Sequence, residues 1–183
     1  LLPFVCIAEI GTAIQFVASS NTTVQDADIP ILIFPSFSNC IVAEKVLPLE
    51  EYVPIEYPAV ADFELVSSWK KAAEELDFKY HIGTVQCKDS FYGQHNPERM
   101  PVGYELQNKW DAWIKAGALA SEMETASLYI VSSVLRLKAA AILATVWNQE
   151  REKLGLDNKT NFDTNKEISV AIKAIRKLIE ENE

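Results

Sequence analysis

The chain of 183 residues carries 17 basic and 26 acidic residues, which gives a formal net charge of −9, and 49% of it is hydrophobic. This length and hydrophobic content suit one domain, spanning residues 1–183. The negative net charge would repel a phosphate backbone, which argues against nucleic acid as a partner. The three cysteines are far apart in sequence and lack metal-ligand spacing. We therefore expect no disulfide framework, no metal site and a cytoplasmic location.

The first third of the chain contains short apolar runs separated by polar stretches. Phe4 to Ile10 and Ile29 to Phe34 are typical of buried strands, and the polar stretch Val17 to Asp28 between them is typical of a loop. A further short strand is predicted at Ile41 to Val46. The apolar opening, Leu1 to Ala8, is much too short to span a bilayer, so no membrane partner is expected.

The remaining two thirds alternate helices and strands. The predicted elements, in chain order, are a helix from Ala59 to Leu76, a strand from Tyr80 to Cys87, a helix from Glu105 to Ala116, a strand from Ala118 to Ser121, a helix from Glu124 to Leu135, a strand from Lys138 to Trp147 and a helix from Asn165 to Glu181. The strand from Lys138 is almost wholly apolar, which is typical of a strand covered on both faces. The alternation predicts a layered α/β domain with helices on both faces of the sheet.

Two carboxylates, Glu122 and Glu124, lie where a buried strand is predicted to give way to a helix. In open α/β sheets, ligands bind beyond the carboxyl ends of the strands, where a carboxylate can accept hydrogen bonds from sugar hydroxyls. Glutamates near a helix N-terminus more often complement the helix dipole or cap the helix. The spacing alone leaves both roles open.

Four segments, in matching order and spacing, resemble the nucleoside phosphorylase family and, within it, the uridine phosphorylases. Ser121 to Ala126 (SEMETA) resembles the family's Glu-Met-Glu signature, and Lys88 to Gln94 (KDSFYGQ) resembles its base-binding loop. Pro54 to Glu64 and Val146 to Asn148 resemble two further family segments. The resemblance implies a single three-layer α/β domain with a mixed central sheet flanked by helices.

The resemblance also implies a nucleoside site. In the family, the methionine of the signature lies against the ribose, a glutamate binds the ribose hydroxyls, an aromatic ring stacks near the nucleoside and a glutamine reads the amide edge of uracil. The nucleoside-binding residues implied here are Phe91, Gln94, Glu122, Met123, Glu124 and Val146.

A cation near the base would stabilise the negative charge that develops on uracil as the glycosidic bond breaks. In the family, an arginine commonly follows shortly after the glutamine. Here Arg99 lies further from Gln94 than in that pattern, and Lys88 is the other candidate. We therefore predict Gln94, Arg99 and Lys88 as the catalytic group; a swing of His95 into the site is the less favoured possibility.

The front of the chain departs from the family pattern. Uridine phosphorylases begin with an arginine-containing phosphate loop, whereas no Lys or Arg precedes Lys45 in this chain. Glu9 to Gln15 resembles a remnant of the family's anion-binding segment, in which Thr12 is the predicted phosphate-binding residue. We expect a chain without the N-terminal phosphate loop and with a divergent or inserted segment at residues 16–53.

The favoured function is phosphorolysis of uridine to uracil and ribose 1-phosphate in pyrimidine salvage. The resemblance implies inorganic phosphate as co-substrate, no metal or organic cofactor, and a homohexamer. Two alternatives remain open at this point. One is a nucleoside hydrolase of the same fold, in which water replaces phosphate; the other is a catalytically silent homologue that only binds nucleoside.

Overall fold

The computed structural model describes the backbone of residues 7–15 and 31–33 and the complete residues 52–181. Within these ranges the fold is α/β, as predicted. The strands are β1 (Ile7–Gln15), β2 (Ile31–Ile33), β3 (Tyr80–Ile82), β4 (Val85–Cys87), β5 (Ala120–Glu122) and β6 (Ala139–Asn148). The helices are α1 (Phe63–Glu75), α2 (Phe91–His95), α3 (Gly103–Lys115), α4 (Thr125–Val134), α5 (Gln149–Lys153) and α6 (Asn165–Glu180), with a 3-10 turn at Pro97–Arg99.

The strands form one mixed sheet in the order β3-β2-β6-β1-β5-β4. At its centre β6 runs parallel to β1 and antiparallel to β2. Every residue of β6 is buried except Trp147, which is half-buried, so both faces of this strand are covered. This confirms the prediction made from its continuous apolar sequence.

The strands β3 and β4 lie at opposite edges of the sheet, yet they follow each other directly in the chain. Only Gly83 and Thr84 separate β3 from β4, so the Cα atoms of Ile82 and Val85 are at most about 11 Å apart. A flat sheet would place these strands about 24 Å apart, because five inter-strand spacings of about 4.8 Å lie between them. The sheet must therefore curl until its two edges approach each other.

Helices α1 and α6 pack against each other, and both contribute residues to the main hydrophobic core. Leu65 and Trp69 of α1 and Val170 and Ala174 of α6 are almost fully buried. Asp62 caps α1, because its side chain accepts a hydrogen bond of 3.1 Å from the backbone N–H of Leu65. The helix therefore begins at Phe63, and the predicted start at Ala59 was wrong.

Several other boundaries differ from the prediction. The strand predicted from Tyr80 to Cys87 is two strands, β3 and β4, that pair with different neighbours. The first strand reaches Gln15, five residues beyond its predicted end. The short helices α2 and α5 were not predicted, and the remaining helices and strands lie within about two residues of their predictions. The predictions for residues 17–28 and 41–46 lie outside the described residues.

None of the helices between residues 52 and 181 combines the length and the apolar character needed to cross a bilayer.

Candidate functional site

The candidate site forms where the parallel strands β4 and β5 end side by side. Cys87 lies opposite Glu122 in the register, and the backbone N–H of Lys88 donates to the carbonyl of Glu122 over 2.9 Å. The segment after β4 begins with Lys88 and leads into α2, and the segment after β5 leads into α4. Two of the motifs identified in the sequence therefore meet at one edge of the sheet.

A partly buried polar network lies at this edge. The Lys88 ammonium donates to Gln94 Oε1 and, over 3.1 Å, to Ser121 Oγ. The Ser121 hydroxyl donates to the same Gln94 oxygen over 2.8 Å. Gln94 Nε2 donates to Gln149 Oε1 over 3.0 Å. The network thus joins the segment after β4, helix α2, strand β5 and the start of α5.

Lys88 is only 7% exposed, and the ion pairs formed among residues 52–181 do not include it. Burial lowers the pKa of Lys88 from 10.5 to about 8, and the nearby carboxylates of Glu122 and Glu124 offset part of this effect. Lys88 is therefore still mostly protonated near neutral pH. Its three N–H groups have two acceptors within residues 52–181, which leaves one for a ligand.

Helix α2 presents aromatic rings beside this network. Ser90 caps the helix by accepting from the backbone N–H of Gly93 over 3.1 Å. Phe91 is 48% exposed, and its ring centroid lies 5.8 Å from Lys88 Nζ. The exposed Phe91 ring is thus available to stack against a base close to the Lys88 cation.

His95 packs between two aromatic rings. Its ring centroid lies 4.0 Å from that of Phe91 and 5.3 Å from that of Trp147. Burial and the positive charges of Lys88 and Lys153 lower the pKa of His95 to about 4, so the imidazole is neutral at physiological pH. His95 thus connects α2 to the end of β6.

The two carboxylates of the Glu-Met-Glu motif have different environments. Glu122 is 3% exposed; its Oε2 accepts from the backbone N–H groups of Glu124 and Thr125, and its Oε1 accepts from the Thr125 hydroxyl, each over 2.7 Å. These contacts hold the start of α4. Glu124 is exposed, and its carboxylate accepts from the backbone N–H of Met123 over 3.2 Å. Among the two, Glu124 is the carboxylate that a sugar can reach.

The structure brings most of the predicted site residues to this edge and leaves Arg99 apart. Val146 is buried in β6, next to Trp147. Arg99 is exposed on the 3-10 turn and has no part in the Lys88 network. Thr12 lies in β1 opposite Ala144, and its side chain is outside the described part of the chain.

Sequence reasoning did not assign roles to Gln149 or Trp147. Both lie in or directly after the Val146 to Asn148 segment, which resembled the family, so that segment was the available signal. No group of three or more His, Cys, Asp or Glu residues within the described ranges could hold a metal ion.

The sequence matches the family model of the phosphorylase superfamily over residues 8–180. The chain belongs to the phosphorylase superfamily. The match covers nearly the whole chain and confirms the resemblance identified from the four motifs.

Known relatives within the superfamily include several nucleoside phosphorylases. The chain is 47% identical over 130 residues to a uridine phosphorylase of Treponema pallidum, which covers 71% of this chain and 50% of that protein. It is 37% identical over 123 residues to a uridine phosphorylase of Thermococcus kodakarensis, covering 63% of this chain and 44% of the relative. A guanosine phosphorylase of Halorubrum lacusprofundi is 32% identical over 93 residues, covering 51% of this chain and 34% of the relative. The chain spans about half the length of the curated relatives it matches.

Proposed function

We propose that this chain provides the nucleoside-binding part of a uridine phosphorylase, a pentosyltransferase. A phosphate oxygen attacks C1′ of the ribose, the bond from C1′ to N1 of uracil breaks, and its electron pair leaves with the base. Protonation of the uracil anion then completes the products, uracil and ribose 1-phosphate. The names of the relatives with 47% and 37% identity support uridine as the substrate and phosphorolysis over hydrolysis.

The observation that carries this proposal is the buried Lys88 side chain, whose Nζ donates to Gln94. In the transition state, negative charge develops on the uracil ring, and a cation in a water-poor site stabilises that charge far better than one in water. Lys88 retains one N–H group for a base oxygen. Arg99 remains the alternative cation, but it would have to move from the exposed 3-10 turn to reach the base.

We assign the two ends of the nucleoside to different residues. Phe91 stacks against the base and Gln94 binds its polar edge. Glu124 accepts hydrogen bonds from the ribose hydroxyls, and Met123, which is 38% exposed, lies against the sugar. Glu122 holds the start of α4 and so fixes the backbone that carries Met123 and Glu124. Val146 contributes an apolar wall.

The remaining features of the proposal concern the whole protein. Thr12 binds the phosphate, which is the co-substrate, and the reaction as written needs no metal or organic cofactor. The sheet is the middle layer of a three-layer domain. The protein acts in the cytoplasm as a homohexamer. These features rest on the family resemblance.

A direct test measures uracil release from uridine with and without inorganic phosphate. We expect release that requires phosphate and yields ribose 1-phosphate. Equal release without phosphate would identify a hydrolase. Nucleoside binding without release in either condition would identify a silent binding protein.

A further inference from the structure

The hydrogen-bond network fixes the direction in which each amide points. A lysine ammonium can only donate, so Gln94 must present its oxygen to Lys88. The nitrogen of the same carboxamide then faces Gln149, and it can only donate. Gln149 must therefore present its own oxygen, Oε1, to Gln94. The charge on Lys88 thus sets the orientation of both glutamine side chains.

The same network limits what Gln94 can offer to a ligand. Its Oε1 has two lone pairs, and these accept from Lys88 and from Ser121. Its Nε2 has two N–H groups, of which one donates to Gln149. Gln94 therefore retains a donor and lacks a vacant acceptor. Uracil also presents an N–H group at N3, which needs an acceptor.

Gln149 supplies an acceptor next to that donor. Its Oε1 accepts a hydrogen bond from Gln94 Nε2 over 3.0 Å, which occupies one of the two lone pairs of that oxygen. The residue is 7% exposed and sits at the first position of α5, so its side chain is held by its surroundings. A donor and an acceptor thus lie side by side, fixed by Lys88, in the part of the site assigned to the base.

We propose that Gln149 is a specificity-determining residue that reads the base together with Gln94. Gln94 Nε2 donates to a base carbonyl oxygen, and Gln149 Oε1 accepts from the adjacent ring N–H. The proposal rests on the nucleoside site proposed above and adds to it a residue and a donor–acceptor order. Lys88 and Ser121 act as positioning residues for this pair.

The donor–acceptor order selects uracil over cytosine. Uracil has a carbonyl acceptor at position 4 and an N–H donor at N3, which match Gln94 and Gln149 respectively. Cytosine has an amino donor at position 4 and an acceptor at N3, so each contact would bring like groups together. With the ribose held by its own contacts, the base cannot shift to exchange the two groups. Mismatched polar groups in a buried site reduce affinity strongly.

The test compares the dissociation constants of uridine and cytidine by calorimetry, using the full chain. Gln149→Met keeps the length of the side chain and removes its hydrogen-bonding groups. We expect it to lower the preference for uridine over cytidine by at least about tenfold. Gln149→Glu keeps an acceptor and should retain the preference. Gln107→Met, on the exposed surface of α3, is the matched control and should retain the wild-type preference.

Each outcome bears on the proposal. An unchanged preference in Gln149→Met overturns it, as does a loss of preference in Gln149→Glu that matches the loss in Gln149→Met. If Gln149→Met does not fold, Gln149→Ala, which also removes the acceptor and is smaller, takes its place: a preference at least about tenfold lower supports the proposal and an unchanged preference overturns it. If wild-type protein prefers uridine but releases no uracil with phosphate, the proposed turnover is contradicted. The binding comparison of the variants then still tests the roles of Gln94 and Gln149. Wild-type protein that binds neither nucleoside overturns both proposals.

Discussion

A lysine that is 7% exposed is costly to keep charged, because its ammonium has left water without gaining an ion pair among residues 52–181. The carboxylate with the largest electrostatic effect on Lys88, that of Glu122, is already occupied by hydrogen bonds at the start of α4. A group that costs stability in this way is common at sites where its charge has a function. Under the proposed function, a uracil anion would supply the missing negative charge.

The pH dependence of wild-type protein should show the two effects of Lys88 separately. The turnover number should fall as pH rises through about 8, because the ammonium that stabilises the uracil anion loses its proton there. The contribution of Lys88 to the free energy of unfolding has the opposite dependence on pH. Between the folded pKa of about 8 and the reference value of 10.5, the unfolded chain binds the proton and the folded chain does not, so the free energy of unfolding rises with pH. Steady-state kinetics and chemical denaturation across this range measure both.

The variant Lys88→Met tests the contribution of the Lys88 ammonium by itself. We expect it to lower the turnover number by about 100-fold or more, to remove the inflection near pH 8 and to leave the free energy of unfolding unchanged or higher. Lys115→Met, in the exposed last turn of α3, is the control and should behave as wild type. Wild-type turnover that stays constant to pH 10 would contradict the assigned role.

At the scale of elements, the two glutamates of the motif have different roles: Glu122 caps α4, and Glu124 is exposed. We expect Glu122→Ala to lower the free energy of unfolding by about 1–3 kcal/mol, because two backbone N–H groups and one hydroxyl lose their acceptor in a buried site. Glu124→Ala should change stability little, because its side chain is exposed, and should weaken nucleoside binding. Denaturation and calorimetry of the two variants provide the comparison.

The matched pair makes this prediction specific. Each variant replaces a glutamate by alanine at the same strand–helix junction, so a difference between them reflects the environment and not the substitution. If Glu124→Ala binds uridine as tightly as wild-type protein does, the ribose assignment is wrong. If Glu122→Ala is as stable as wild type, the cap contributes little to the fold.

The elements differ in how far the sequence could predict them. The helices α1, α3, α4 and α6 follow from apolar residues at helical spacing, and β6 follows from its long apolar run. The break at Gly83 and Thr84 was missed because the residues on both sides have the composition of one strand. Which neighbours a strand pairs with depends on contacts distant in sequence, and a local pattern does not contain that information.

The candidate site could likewise be predicted from the sequence only in part. The motifs predicted Lys88, Phe91 and Gln94 as a group, and the structure places them together. The pairing of Gln94 with Gln149 joins residues 55 positions apart, so no spacing rule could reveal it. The sequence also left both roles open for Glu122, and only the three hydrogen bonds to the start of α4 show that it caps that helix.

At the scale of the whole molecule, the curled sheet and the candidate site depend on one short connection. Gly83 and Thr84 join the two ends of the strand order, and the Thr84 carbonyl accepts from the backbone N–H of Leu119 over 2.8 Å just before β5. A Cβ atom at Gly83 would lie 2.6 Å from Leu119 Cδ1, so the connection passes very close to that side chain. Lys88 follows directly after β4, and its position is therefore set by how the sheet closes.

Lengthening this connection should therefore affect stability and binding together. We expect insertion of two glycines between Gly83 and Thr84 to lower the melting temperature by several degrees, because it adds chain entropy and loosens the closure of the sheet. Uridine affinity should also fall, since Lys88 and Gln94 lose their fixed position relative to β5. The same insertion between Ile55 and Glu56, which are both exposed and, among residues 52–181, have no hydrogen bond to the site, is the control and should change both quantities much less. Equal changes in the two insertion variants, measured by thermal unfolding and calorimetry, would show that closure of the sheet does not hold the site in place.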